Sequence, residues 1–440
     1  MDNGQLIMDN YPAMKDSCID WLGKIPAHWE MRRIKYLFRE VDNRSTTGKE
    51  ELLSLSKYHG LIPRSEITDK LSSAETLVGY KKCSPGELVL NKLQAWNGMF
   101  DISSYDGLVS PDYSVFAKTK PLEMRYFRYL FRTSLYVSEF RRKSSGIGEG
   151  FFRLYTDAFF RIWSILPPLP EQTAITNFLD RKTAQIDQFV TLKKQTIALL
   201  QEQKTAIINR AVTQGLNPDV PMKDSGIEWL RAIPAHWEVK KLKFLTKKIG
   251  SGVTPRGGAT TYQPSGIPLI RSQNVHFDRI DLQEVAYISE DVHREMTNSR
   301  VASGDVLLNI TGGSLGRCYY VTNQFSEANV NQHVCIVRPN RKITSKHLNY
   351  LLASGVGQSQ IWFFQQGGGR EGLNFQNLKN FYFAIPAPSE QNQIVAYIEQ
   401  ATAKIDSAIA QAQQQIALIK EYRESLISQA VTGKIKIVDD

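Results

Sequence analysis

The chain is poor in cysteine, and none of its four is placed to form an obvious site. Cys18, Cys83, Cys318 and Cys335 form no CxxC motif and join no Cys/His cluster with zinc spacing. That pattern gives no metal site and no disulfide framework; the four read as free thiols of a reducing compartment. No apolar run approaches the ~20 residues of a membrane span. Residues 1–15 are polar and hold no signal-peptide core, which points to a loose tail on a cytoplasmic protein with no membrane partner. Catalytic motifs are missing too. Thr311-Gly312-Gly313-Ser314-Leu315-Gly316-Arg317 has the glycines of a phosphate loop without the Gly-Lys-Ser/Thr ending. The Asn/Asp-Pro-Pro-aromatic tetrad of an amino-methyltransferase is absent, and Pro111-Asp112 with Glu123 lacks the lysine spacing of a nuclease core. No catalytic residue is expected.

What the chain has is a duplication. Asp16-Ser17-Cys18-Ile19-Asp20-Trp21-Leu22 and Ile25-Pro26-Ala27-His28-Trp29-Glu30 return as Asp224-Ser225-Gly226-Ile227-Glu228-Trp229-Leu230 and Ile233-Pro234-Ala235-His236-Trp237-Glu238. Residues 167–215 align without gaps on residues 386–434, matching at Glu171/Glu390, Gln172/Gln391, Ile186/Ile405, Asp187/Asp406 and Ala211-Val212-Thr213/Ala430-Val431-Thr432. Two alike frames enclose stretches that share little. A period this long is a duplicated domain, not a solenoid. The recurring histidines and tryptophans of the frame read as packing residues.

The pieces follow: a tail (1–15), a first variable unit (16–166), a long helix (167–215), a linker with two prolines (216–223), a second variable unit (224–385), a second long helix (386–434) and a tail (435–440). Neither 171–213 nor 390–432 contains glycine or proline. Prolines precede each start, and Gly215 and Gly433 follow each end, as helix caps require. Each helix should reach roughly 60 Å. Ile175, Ile186, Ile197 and Ile208 recur every eleventh position, and so do Ile394, Ile405, Ile416 and Ile427. Phe178, Phe189, Leu200 and Ala211, with Tyr397, Ala408, Ile419 and Ala430, form a second row. This period suits a nearly straight helix pair packed along the isoleucines. The variable units read as mixed α/β, with strands near Leu88-Val89-Leu90-Asn91, Tyr113-Ser114-Val115-Phe116, Val306-Leu307-Leu308-Asn309 and Val334-Cys335-Ile336-Val337. Glycine-rich turns stand at 144–150 and 367–372.

The formal charge is +10 and the pI about 9.2, a balance that favours an anionic partner. Base edges are read by Arg, Lys, Asn and Gln from loops or helices in the major groove. Candidate base readers are Lys57, Tyr58, His59, Lys92, Gln94, Trp96 and Asn97 in the first unit. In the second they are Arg271, Gln273, Asn274, Thr311, Asn331, Gln332 and His333. Phosphate contacts need only charge and position. Candidates are Arg64, Lys81, Lys82, Arg141, Arg142, Lys143, Arg256, Arg279 and Arg370.

The frame, Ser-x-Ile-x-Trp-Leu…Ile-Pro-x-His-Trp followed by Pro-Glu-Gln or Ser-Glu-Gln…Ile-Asp and Ala-Val-Thr, resembles the specificity subunit of type I restriction-modification enzymes over residues 16–434. Cys18 in place of Gly226 is a mild departure. The resemblance implies an α+β, mixed α/β fold. Two target recognition domains, related by pseudo-two-fold symmetry, would be separated by two long antiparallel helices that form a coiled-coil spacer. It implies a non-enzymatic chain that binds double-stranded DNA, each domain reading half of a bipartite asymmetric target. It implies two methyltransferase subunits as partners, carrying S-adenosylmethionine for adenine N6 methylation. Two motor-nuclease subunits with ATP and Mg would join them in a system that restricts. A stand-alone DNA-binding regulator without a methyltransferase partner is the competing reading, and an enzyme with an unfamiliar site is a third.

Overall fold

The computed structural model describes residues 10–56, 60–67, 76–146, 152–323, 325, 327–365 and 372–437. The chain gathers into two compact units. One holds the residues up to Lys193 and those from Gln413 onward; the other holds Lys194–Ala412. Each unit therefore owns one part of each long helix.

In the first unit a hairpin pairs Met14–Asp16 with Lys24–Pro26. Strand Glu30–Arg33 pairs antiparallel with Trp163–Leu166, which runs into the long helix Leu169–Gln214. The main sheet places its strands in the order Phe38–Val41, Tyr113–Lys118, Leu88–Asn91, Phe100–Ile102. Side chains of a strand alternate between faces, and here both faces are covered. Leu88 and Leu90 join a core with Phe127, Phe131 and Phe140 from the helices Met124–Arg132 and Ser134–Lys143. Val89 joins a separate core with Leu53, Leu55 and Val109. Two-sided burial explains the three consecutive apolar residues before Asn91.

The second unit repeats the plan. Hairpin Met222–Asp224 with Ala232–Pro234 opens it, and Glu238–Lys241 pairs with Tyr382–Ile385. Its main sheet runs Thr246–Ser251, Val334–Pro339, Val306–Asn309, Cys318–Tyr320. Val306 and Leu308 face one core, and Leu307 faces another with Ile270, Val330 and Ile336. The unit adds a three-stranded sheet whose middle strand is Ile267–Ile270. The fold is thus mixed helix and sheet, built twice.

The second long helix is Pro388–Val431. In the first unit its end and the start of the first long helix meet at the same frame motif. Glu171 accepts from Trp29 Nε1 at 2.9 Å and contacts His28 Nε2 at 2.6 Å, while Ala430 and Val431 share Trp29's core. Farther along, Arg423 pairs with Asp187 at 3.0 Å, so the two segments run antiparallel. The second unit mirrors this. Trp237 Nε1 donates to Glu390 at 3.1 Å, His236 contacts Glu390 at 2.9 Å, and Ala211 and Val212 share Trp237's core. Lys204 pairs with Asp406 at 2.6 Å. Both ion pairs are partly exposed; they fix register more than they stabilise, at about 0–1 kcal/mol each.

The glycine after the second helix is required by this contact. Gly433 has φ +70°, and a Cβ there would stand 2.3 Å from Pro26 Cδ and 3.0 Å from the Trp29 ring. Ile175, Ile186, Ile394 and Ile405 are buried, and Ile197, Ile208, Ile416 and Ile427 are half-buried, so the isoleucine row faces inward. The second row does not follow it throughout. Phe189 and Tyr397 are exposed. Three further boundaries shift. Tyr11 is buried and donates to Glu171 at 3.0 Å, so ordered packing begins inside the expected tail. Met222 and Lys223, expected in the linker, belong to a strand. Ile435, expected in the C-terminal tail, is buried. The glycine turns at 147–150 and 367–371 lie outside the described residues.

One buried position differs in chemistry between the two copies. Gln172 Oε1 accepts from Glu123 N at 3.1 Å, and Gln391 Oε1 accepts from Thr344 N at 2.9 Å. Counting on from these, Tyr126 corresponds to His347. Tyr126 donates to Val431 O at 2.8 Å, whereas both ring nitrogens of buried His347 have no hydrogen-bond partner in the protein. Burial pushes the His347 pKa down from 6.5 to about 4. The fold holds the neutral ring, so this contribution to stability is full above pH 6.5 and is lost as pH falls from 6.5 towards 4. The loss should reach about 3 kcal/mol. Acid titration of unfolding free energy checks it: His347→Tyr, which copies Tyr126, should flatten the slope in that window. Equal slopes for both proteins would contradict it.

Candidate nucleic-acid interface

In the second unit, three polar segments gather at one end of the main sheet. Strand Val306–Asn309 ends there, opposite Val334. Asn309 Nδ2 donates to Ser272 O at 2.7 Å, tying in the 271–274 turn. Asn331 N donates to Ile270 O at 3.1 Å, and Ile310 N to His333 O at 3.0 Å, tying in 331–333. Thr311 Oγ1 meets His333 Nδ1 at 2.6 Å, and Gln332 Nε2 lies 3.0 Å from His333 Nε2. Gln273 and Gln332 are exposed; Arg271, Thr311 and His333 are half-buried. The Arg271 guanidinium lies over the Tyr262 ring at 5.5 Å and donates to Glu284 O at 3.3 Å. Its Nε and the Asn309 Oδ1 are buried without a protein partner. The edge thus presents a cation, amides, a hydroxyl and an imidazole, the groups that read base edges.

The first unit shows the same build. Asn91 lies opposite Tyr113. Leu154 N donates to Lys92 O at 2.9 Å, matching Leu373 N to Ile310 O at 2.8 Å. Gln94 and Asn97 are exposed. Trp96 Nε1 donates to Leu93 O at 2.8 Å, its ring packs near Phe152 at 6.4 Å, and the exposed Arg141 lies over it at 5.9 Å. Burial lowers the Lys92 pKa, and the neighbouring Lys81 charge adds to the effect. A contact with an anion would offset both.

Several expected contact residues are used inside the fold instead. Lys81 is 3% exposed and pairs with Glu40 and Asp42 at 3.6 and 3.5 Å, so it is not a phosphate contact. Asn274, 3% exposed, accepts from Arg271 N and donates to Asp281 O, both at 3.0 Å, and therefore shapes the turn without reading a base. Asn331 is buried and accepts from His333 N at 3.1 Å in the same way. Lys82 pairs with Glu50 at 2.7 Å, Arg142 with Glu139 at 2.6 Å, and Arg279 with Asp278 at 3.1 Å; each stays at least partly exposed. Arg64 and Lys143 are half-buried, and Arg256 is exposed. Lys57, Tyr58, His59 and Arg370 lie outside the described residues.

A family model described as the type I restriction modification DNA specificity domain matches residues 234–418. This segment contains all three converging loops and the start of the second long helix. The EcoBI specificity subunit of Escherichia coli is 27% identical over 278 residues, covering 61% of this chain and 58% of that protein. The MjaVIII specificity subunit of Methanocaldococcus jannaschii is 23% identical over 426 residues, 94% of each chain. The chain is similar to type I restriction-modification specificity subunits over most of its length, and residues 234–418 match their DNA specificity domain.

Solved structures agree at the level of fold. A chain from work on complex assembly and conformational transition of the type I R-M system superposes with a TM-score of 0.67 at 13% identity, covering 93% of this chain and 99% of that one. The HsdS subunit from Thermoanaerobacter tengcongensis gives 0.50 at 15% identity, covering 93% and 98%. The frame motif is anchored the same way in both units. Glu171 and Glu390, which sequence reading left without one, each bind the His-Trp pair of their unit. Their recurrence in both copies was the available signal. Among the described residues, no group of three or more His, Cys, Asp or Glu could hold a metal ion, and no helix is long and apolar enough to cross a membrane.

Proposed function

We propose that this chain is the non-catalytic DNA-recognition subunit of a cytoplasmic type I complex. Each unit reads one half of a bipartite, asymmetric duplex target. The paired helices set the spacer and dock two methyltransferase subunits. Those partners carry S-adenosylmethionine and methylate adenine N6, flipping the base into their own pocket. Where restriction occurs, two motor-nuclease subunits with ATP and Mg join them. The observation that carries this reading is the repetition of one frame around unlike polar loops. In each unit the loops gather at the same end of an equivalent sheet. A constant scaffold with two different contact edges suits a target whose halves differ.

The test is methyl transfer to DNA from a labelled donor. Incorporation should require both this chain and a methyltransferase subunit. Incorporation by the chain alone would contradict a non-catalytic role. Tight specific binding with no stimulation of any methyltransferase would favour a stand-alone regulator.

Within this reading, Arg271→Ala should relax selectivity at one or two base pairs and cost ~1–3 kcal/mol. Competition binding against a library of targets measures this. A loss equal on all sequences would make Arg271 a phosphate contact.

A further inference from the structure

Each unit carries an exposed feature that packing within the unit does not explain. In the first, Tyr36 is 59% exposed, and Lys35 Nζ lies over its ring at 4.8 Å. Two residues earlier, Arg33 lies over the Trp163 ring at 5.0 Å. In the second, Phe244 is 55% exposed, Lys243 lies over it at 5.0 Å, and Lys241 lies over Tyr382 at 5.1 Å. The two patches occupy matching positions of the duplicated frame.

Both patches are held rigidly, and by the same bonds. Ile34 N donates to Ile162 O at 3.0 Å, and Leu242 N to Phe381 O at 2.8 Å. The carbonyl of the exposed aromatic is also clamped. Thr119 Oγ1 donates to Tyr36 O at 3.0 Å, and Asn340 Nδ2 to Phe244 O at 2.9 Å. A different polar side chain does the same work in each copy. Tyr in one copy and Phe in the other means that the ring, not a hydroxyl, is the shared element.

Their place in the sheet points away from base reading. In the first unit the contact loops leave where Asn91 meets Tyr113, whereas Tyr36 precedes Phe38, which meets Lys118. In the second, the loops leave where Asn309 meets Val334, whereas Phe244 precedes Thr246, which meets Pro339. Five residues of strand, about 16 Å, separate the two ends. The DNA-contact ends differ between units because the half-targets differ. A surface that is the same in both units, at the opposite end, suits something that is the same on both sides.

We infer that these cation–aromatic patches are paired docking points for two copies of the methyltransferase subunit, one on each unit. The inference rests on the proposed function and adds, beside the paired helices, a second contact surface on each unit. The partner would offer carboxylates to the lysines and an apolar face to the ring. Exposed rings flanked by cations are favoured anchors of this kind.

Native mass spectrometry of the full chain co-expressed with its system's methyltransferase subunit tests this. The wild-type chain should hold two copies. Lys35→Glu with Tyr36→Ser, or Lys243→Glu with Phe244→Ser, should each leave one copy, with the second bound at least about tenfold more weakly. Lys35→Glu and Lys243→Glu alone, at exposed sites that leave the core intact, should act in the same direction. Phe244→Tyr, which copies the first unit, should keep both copies. Two copies retained at unchanged affinity in the charge-reversed chains would overturn the inference. So would two copies retained with weaker binding to every DNA sequence, since the patches would then be phosphate contacts. No copy on the wild-type chain would refute the proposed function itself and this inference with it.

Discussion

Inserting four residues between Lys193 and Lys194, with a matching insertion after Ile416, should lengthen the spacer of the target and leave both half-sequences unchanged. Leu169–Gln214 and Pro388–Val431 are continuous, and each unit pairs a segment of one antiparallel with a segment of the other. Asp187 with Arg423 and Lys204 with Asp406 define the register, and the paired insertion preserves it. Four residues add about 6 Å, close to two base pairs of duplex. The contact loops of both units lie far along the chain from these positions and keep their bonds. Mapping methylated sites in cells that express the variant measures the effect. An unchanged spacer, or altered half-sequences, would contradict the helices' role as a ruler.

Much of this organisation was legible because it was written twice. The frame motifs, the glycine-free stretches and their capping glycines located both long helices to within three residues. The apolar triplet before Asn91 and Asn309 marked strands buried on both faces. What stayed hidden depended on contacts distant in sequence. Lys81 counts as a cation by composition, but Glu40 and Asp42 lie beside it only after the sheet forms. Asn274 and Asn331 have base-reading chemistry, but asparagine also satisfies nearby backbone groups, and in these turns it does. Tyr11 looked like tail because nothing local reveals that Glu171 will accept from it. The same limit hid the glutamates. His28 and His236, expected to pack, are exposed, and the carboxylates that hold them stand more than a hundred residues away.

The frame also accounts for how unlike loops can be carried by like units. Trp29 and Trp237 are fully buried, and each joins a helix start, a helix end and the first strands of its unit. The variable sheet hangs from this joint through the pairing of Glu30–Arg33 with Trp163–Leu166, and of Glu238–Lys241 with Tyr382–Ile385. Loops beyond Asn91 and Asn309 can then change without disturbing the joint.

Exchange of one unit's contents tests this independence most directly. Residues 224–385 are replaced by the corresponding recognition segment of another specificity subunit, and the methylated motif is read from whole-genome sequencing that detects modified bases. One half of the motif should change completely, while the other half and the modified base type persist. A motif altered in both halves, or one unaltered in either, would contradict it.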